Sequence, residues 1–181
     1  QKGELSTAKT NYEKYIALKD AGSLVLALPS INSAKASIDK AAVNEKTAVD
    51  ASTWVYKAMI YTDLALLDTV SVSAEQTLAT AKEDLKKAID LGGAAQNAGN
   101  IERTNNLFAQ FELNKGVKAF QTQKFSLAYE AFENSLVYKP SDTTLTYYAG
   151  LAAINAQNYT AAIKKYGELV KLDYSANKLI A

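Results

Sequence analysis

Cysteine and histidine are both absent from the 181 residues, and proline occurs only twice, as Pro29 and Pro140. Without cysteine there is no disulfide, no thiolate metal ligand and no thiol nucleophile. Without histidine the commonest general base and metal ligand is missing too. There is no G-x-S-x-G elbow and no phosphate-cradling glycine loop, and Gly92-Gly93 reads as a helix stop. These absences argue against an enzyme and against a bound cofactor or metal. An excess of one charge is also lacking. Lys plus Arg number 20 and Asp plus Glu 19. The charges are scattered, so no basic stripe marks a nucleic-acid binder and no charged tail stands out. No stretch approaches the roughly 18 uncharged apolar residues of a membrane span. Leu24 to Leu28 is apolar but far too short.

What remains is rich in alanine and apolar residues (48%), a composition that favours helix. A first helix is expected over 3–19, with Leu5, Ala8, Tyr12, Tyr15 and Ile16 on one face. Pro29-Ser30 opens a second, capped by Ser30, with Ile31, Ala34, Ile38, Ala41 and Ala42 inward. Asp50 caps a third, to Leu67, whose face is Trp54, Ala58, Tyr61 and Ala65. Ser73 with Gln76 forms a capping-box pattern for a fourth, which turns Leu78, Ala81, Leu85, Ala88 and Ile89 inward and stops at Gly92-Gly93. Residues 92–104 form a long polar loop. Further helices are expected over 104–121, 125–138, from Ser141 or Asp142 to 156, and over 159–172. Ser175 to Ala181 reads as the start of another. Glu83-Asp84 and Lys164-Lys165 read as solvated helix faces.

The C-terminal half repeats itself every 34 residues. Gly116 and Gly150 are that far apart, as are Ala119 and Ala153, Phe120 and Ile154, Phe125 and Tyr159, Ala128 and Ala162, Phe132 and Tyr166, and Leu136 and Val170. Small matches small and large matches large throughout. A helical unit of this length cannot bury its apolar face alone, so it stacks on its neighbours.

Trp54-x2-Lys57-Ala58-x2-Tyr61 resembles the first helix of a tetratricopeptide repeat, with Lys where Leu is usual. Ala128-x3-Phe132 followed by Pro140 resembles the second helix and terminator, and Ala162-x3-Tyr166 repeats it. The stretch from Asn44 through Trp54 to Tyr61 also resembles exported tetratricopeptide proteins of Gram-negative bacteria. The resemblance implies an all-α fold, a right-handed α-α superhelix of antiparallel hairpins. Its parts would be a degenerate capping hairpin (1–50), a repeat with a long hairpin and trailing loop (51–104), a repeat (105–142), and a repeat with the start of a further helix (143–181). It implies a periplasmic protein. The opening Gln-Lys-Gly-Glu, without Met, fits either a mature exported chain whose signal peptide was removed or an arbitrary start; a cytoplasmic location is the alternative. Asp68-Thr69-Val70 and Asp142-Thr143-Thr144 resemble a bacterial O-glycosylation motif, but such short patterns recur by chance and Asp142 is better explained as a helix cap.

In such repeats the first helix of each pair lines a concave groove. That position implies a partner-binding surface of Val55, Tyr56, Met59, Thr62 and Asp63, then Gln110, Leu113, Asn114, Val117 and Gln121, then Thr144, Tyr147, Tyr148, Leu151 and Asn155. The Lys and Asn that clamp a chaperone's terminal carboxylate in some members are replaced by Val55, Leu113 and Tyr147, and by Met59, Val117 and Leu151. The function implied is a non-enzymatic scaffold or adaptor for a protein or peptide of apolar character. Two alternatives stand beside it. The face is packed against another helix of the same protein, or its tyrosines stack on a glycan or small ligand.

Overall fold

The computed structural model describes residues 2–68 and 71–172. The expected helix start at Ser175 to Ala181, and Thr69 and Val70 of the first glycosylation-like motif, lie outside the described residues. Within them the chain is all-helical, without a strand. The helices are α1 (Lys2–Asp20), α2 (Leu24–Val43), α3 (Ala51–Leu67), α4 (Ser71–Asp90), α5 (Ala98–Gln121), α6 (Phe125–Tyr138), α7 (Thr143–Asn155) and α8 (Tyr159–Lys171). They fall into two compact units, residues 1–107 and 108–181, divided within α5. No described helix is long and apolar enough to cross a membrane.

Three helix starts differ from expectation, each for a local reason. α2 begins at Leu24, so Pro29 lies inside the helix rather than at its start. A proline cannot donate to the carbonyl four residues back. Here that carbonyl belongs to Val25, an exposed residue of the first turn, where water can replace the missing donor. α4 begins at Ser71, and Ser73 is no capping box. Its hydroxyl donates to the Asp68 carboxylate instead. α5 begins at Ala98 and takes in much of the expected loop. Buried Asn97 sets that start. Its side chain donates to the Gly93 carbonyl at 3.0 Å and accepts from Ser52 Oγ at 3.2 Å, while its own carbonyl accepts from Ile101 N at 2.8 Å. Two caps do match. Asp50 accepts from Ser52 N, and Asp142 from Leu145 N.

In the first unit α1 pairs with α2 and α3 with α4, and α2 and α3 join the pairs. The expected faces are buried, from Ala8, Tyr12 and Tyr15 in α1 through Ile31, Ala34 and Ile38 in α2 to Leu78, Ala81 and Ala88 in α4. Ile89 is exposed, and Ile16, Ala42 and Tyr61 are only half-buried. Lys57, which stands where the repeat pattern has leucine, is explained by a residue on the next helix. Its Nζ lies 2.7 Å from Oδ2 of Asp84, which is buried. Burial pushes the Asp84 carboxyl above the usual carboxylate range, and the hydrogen bond and charge of Lys57 pull it partly back. Lys57 also sits 4.7 Å from the Tyr61 ring centre, and Lys87 lies 3.5 Å over Trp54, whose indole N–H donates to the Ala48 carbonyl. Asp84 is therefore a buried ionic partner and not part of a solvated face.

The second unit shows the repeat in atomic detail. A Cβ placed on Gly116 would stand 2.6 Å from Phe132, and one on Gly150 would stand 3.0 Å from Tyr166. Each member of one contact lies 34 residues from its counterpart in the other. The turns match as well. Gln123 and Gln157 are the only described non-glycine residues with positive φ, at 57° and 58°. Gln123 N bonds the Phe120 carbonyl and Lys124 N that of Ala119; Gln157 N bonds that of Ile154 and Asn158 N that of Ala153. α5 also meets α6 through Ser135, whose hydroxyl donates to the Ala109 carbonyl at 2.9 Å. Ala119, Ala128, Phe132, Leu136, Leu145, Ala149 and Ala152 form one core cluster, with Leu113, Phe120 and Tyr129 partly buried against it.

Candidate functional site

The two units treat the implied binding surface differently. On α3, Val55, Met59, Thr62 and Asp63 are buried, and Tyr56 is half-buried. α1 of the same chain meets Tyr56 and Asp63. Tyr12 donates its hydroxyl to Asp63 Oδ2 at 2.6 Å, Tyr15 donates to Oδ1 at 3.2 Å, and Lys19 Nζ sits 2.7 Å from Oδ1. Tyr12 meets the Tyr56 ring edge-on at 6.3 Å between centres, and Lys9 lies 4.9 Å over Tyr56. These α1 residues recur at three- and four-residue steps, so a single helical stripe meets Tyr56 and Asp63. Burial raises the Tyr12 and Tyr15 hydroxyls above the usual phenol range, and the Asp63 charge raises them further. As the chain stands, Val55, Met59 and Asp63 are not offered to a partner. The Asp63 carboxylate is enclosed by donors of one neighbouring helix, Tyr12, Tyr15 and Lys19 of α1.

Asp63 is thus a structural centre. Its carboxylate accepts from three donors, two of them on buried tyrosines. Asp63→Ala should destabilise the protein by about 2 kcal/mol, because the Tyr12 hydroxyl loses its acceptor away from water. Lys19 is partly exposed and recovers hydration, which limits the loss. Urea unfolding of the variant and the parent gives the difference. A change below about 0.5 kcal/mol, the size of an ordinary surface substitution, would contradict the buried cluster.

In the second unit the corresponding face is open. On α5, Gln110, Asn114, Val117 and Gln121 are exposed and Leu113 is half-buried. On α7, Thr144, Tyr148 and Asn155 are exposed, with Tyr147 and Leu151 half-buried. Val117 is 40% exposed and Tyr148 43%, large fractions for apolar groups on ordered helices. None of these ten side chains is charged. Phe132 holds the two helices' contributions together. Gly116 of α5 lies against one part of its ring, and the Tyr148 ring of α7 is centred 6.2 Å away. Tyr147 contacts Tyr148 at 5.5 Å and the Tyr166 ring of α8 at 6.3 Å. The exposed tyrosines therefore rest on rings supplied by α6 and α8. Gln110 donates to Asn114 at 2.7 Å, and Asn155 to the Leu151 carbonyl at 2.8 Å, so each amide is oriented along its own helix.

Sequence reasoning missed a second charged cluster. Lys165 is buried, with Nζ 2.5 Å from Glu133 on α6 and 2.8 Å from Glu168. Burial alone would lower its pKa, but the hydrogen bonds and charges of the two carboxylates outweigh it and the net direction is upward. This cluster ties α6 to α8, with the lysine buried and both carboxylates partly exposed. The only sequence signal for it was a lysine falling on the face that also carries Ala162 and Leu169.

No family model matches the sequence, and no curated protein is significantly similar to it.

Proposed function

We propose that the chain is a non-enzymatic scaffold of the tetratricopeptide type, with its hairpins following a right-handed superhelix. It binds a peptide or protein partner through the α5 and α7 face of its second unit. One observation carries this reading: an uncharged surface with Val117 and Tyr148 exposed, set on a buried aromatic floor. Aromatic side chains already fixed by packing lose little freedom on binding, and such residues concentrate interface energy. The amides around them supply hydrogen bonds for register. With no charge among these ten side chains, the partner is recognised by apolar side chains on an extended or helical segment rather than by a terminal carboxylate. The likeness of residues 44–61 to exported proteins supports a place in the bacterial envelope, which cell fractionation with an antibody tests.

The function is tested by selecting peptides from a random library on the intact chain, then measuring their affinity for the parent and for Tyr148→Ser with Val117→Ser. Both positions are solvent-exposed, so circular dichroism should be unchanged. Selected peptides should bind the variant about 30-fold more weakly, the factor that corresponds to a 2 kcal/mol hot spot. Peptides that bind both proteins equally would refute this face as the site. Retention of a soaked oligosaccharide by the parent and its loss in the variant, with no peptide selected, would move the assignment to glycans.

A further inference from the structure

The polar groups of the open α5 and α7 face are nearly all of one kind. Apart from the Thr144 and tyrosine hydroxyls, they are the carboxamides of Gln110, Asn114, Gln121 and Asn155, all exposed. The three on α5 recur at steps of four and seven residues, so they share one side of the helix with Val117. Along the axis, Asn114 stands about 4.5 Å before Val117 and Gln121 about 6 Å after it. The repeat carries the pattern into α7. Leu151 lies 34 residues after Val117, and Asn155 lies 34 after Gln121. Bonds within the chain leave most of this amide capacity unused. Gln110 donates one N–H to Asn114 Oδ1, and Asn155 donates one to the Leu151 carbonyl. Among the described residues nothing further engages these four side chains. Asn114 therefore keeps both N–H groups and Gln110 keeps its oxygen, a donor and an acceptor side by side as in a peptide group.

This inventory discriminates between the two forms that a peptide partner can take. A helical segment bonds its own N–H and C=O groups internally and is about 10 Å wide. Seated on Val117, it would cover the carboxamides on both sides and leave their donors and acceptors unpaired, which is costly. An extended segment behaves differently. Where it lowers a side chain onto Val117, its backbone N–H and C=O groups face outward along both edges. Those are the groups that Asn114 and Gln121 can pair. We infer that the face binds an extended apolar segment, with Asn114, Gln121 and Asn155 hydrogen-bonded to the partner's backbone while Val117 and Tyr148 receive its side chains. This rests on the peptide-binding function proposed above and adds the partner's conformation and the residues that select it.

The test uses the full chain and the tightest peptide selected on it. The peptide is remade with a methyl group on each backbone nitrogen in turn. Fluorescence anisotropy then gives affinities for the parent and for Asn114→Leu with Gln121→Leu. Both positions are exposed, so circular dichroism should be unchanged. The unmethylated peptide should bind the variant about tenfold more weakly, as expected for lost hydrogen bonds. At one or more nitrogens the methyl should weaken binding to the parent by about tenfold as well. The same methyl should cost the variant no more than about twofold, because the two changes remove one interaction. A helical partner gives the opposite pattern. It would gain from the added leucines, and its methyl penalties, which come from breaking its own helix, would be equal in parent and variant. Tighter binding by the variant, or equal methyl penalties in the two proteins, would overturn the inference. The proposed function would still stand if Tyr148→Ser with Val117→Ser weakened binding. Peptides indifferent to that pair would refute the face itself, and the inference with it.

Discussion

Phe132→Ala is expected to destabilise the second unit by about 3–5 kcal/mol, as large-to-small substitutions of fully buried aromatics do. The upper part of that range is favoured by what surrounds the ring. Ala119, Ala128, Ala149 and Ala152 make up most of the core cluster around it. Alanines have no side-chain torsion through which to fill a vacated volume, so the cavity persists and its lining loses contacts outright. The backbone at Gly116 also rests on the ring. The same variant removes the support beneath Tyr148, so the peptides selected above should bind it more weakly as well. Urea unfolding followed by circular dichroism measures the stability. A loss under about 1 kcal/mol would mean that Phe132 is not the centre of the unit.

Gly116→Leu is expected to cost about 3 kcal/mol or more, and Gly150→Leu distinctly less, about 1 kcal/mol. The positions are equivalent in the repeat, but their surroundings differ. A Cβ at 116 would stand 2.6 and 2.7 Å from two carbons of Phe132, a ring that is buried and held on all sides. At 150 the nearest carbons are 3.0 and 3.1 Å away on Tyr166, which is half-buried and can swing outward. Each substitution also gains up to about 1 kcal/mol of helix propensity. That gain offsets much of the cost at 150 and little of it at 116. Thermal unfolding of the two variants side by side gives the order. Equal costs, or a costlier change at 150, would contradict the packing of α5 on α6.

The helices were legible in the sequence because their apolar residues recur at helical spacing and because Asp50 and Asp142 announce their caps. The 34-residue register was legible for the same reason, down to the paired glycine–aromatic contacts. What stayed hidden depended on partners distant in the chain. Pro29 suggested a helix start, yet only the exposure of Val25 reveals that a proline is tolerated inside the helix. Gln123 and Gln157 carry no turn signal, since glutamine has no intrinsic preference for positive φ. Asp84 and Lys165 looked like surface charges because the residues that neutralise them, Lys57 and Glu133, lie on other helices. The α3 face followed the same rule. Asp63 sits where a groove would be, but Tyr12, Tyr15 and Lys19 of α1 are complementary to it. That complementarity is a property of two helices and cannot be seen in either alone.

The most direct test of this account is thiol labelling, since the parent chain has no cysteine of its own. Single variants Tyr148→Cys and Asn114→Cys place a thiol on the face read as open, and Met59→Cys places one at a buried position of α3. The account predicts that the first two react with a maleimide at the rate of an unhindered thiol. Met59→Cys should react at least about a hundredfold more slowly, because a buried side chain reacts only through local opening. Equal rates at Met59→Cys and Tyr148→Cys, or protection at Tyr148→Cys in the isolated chain, would contradict it.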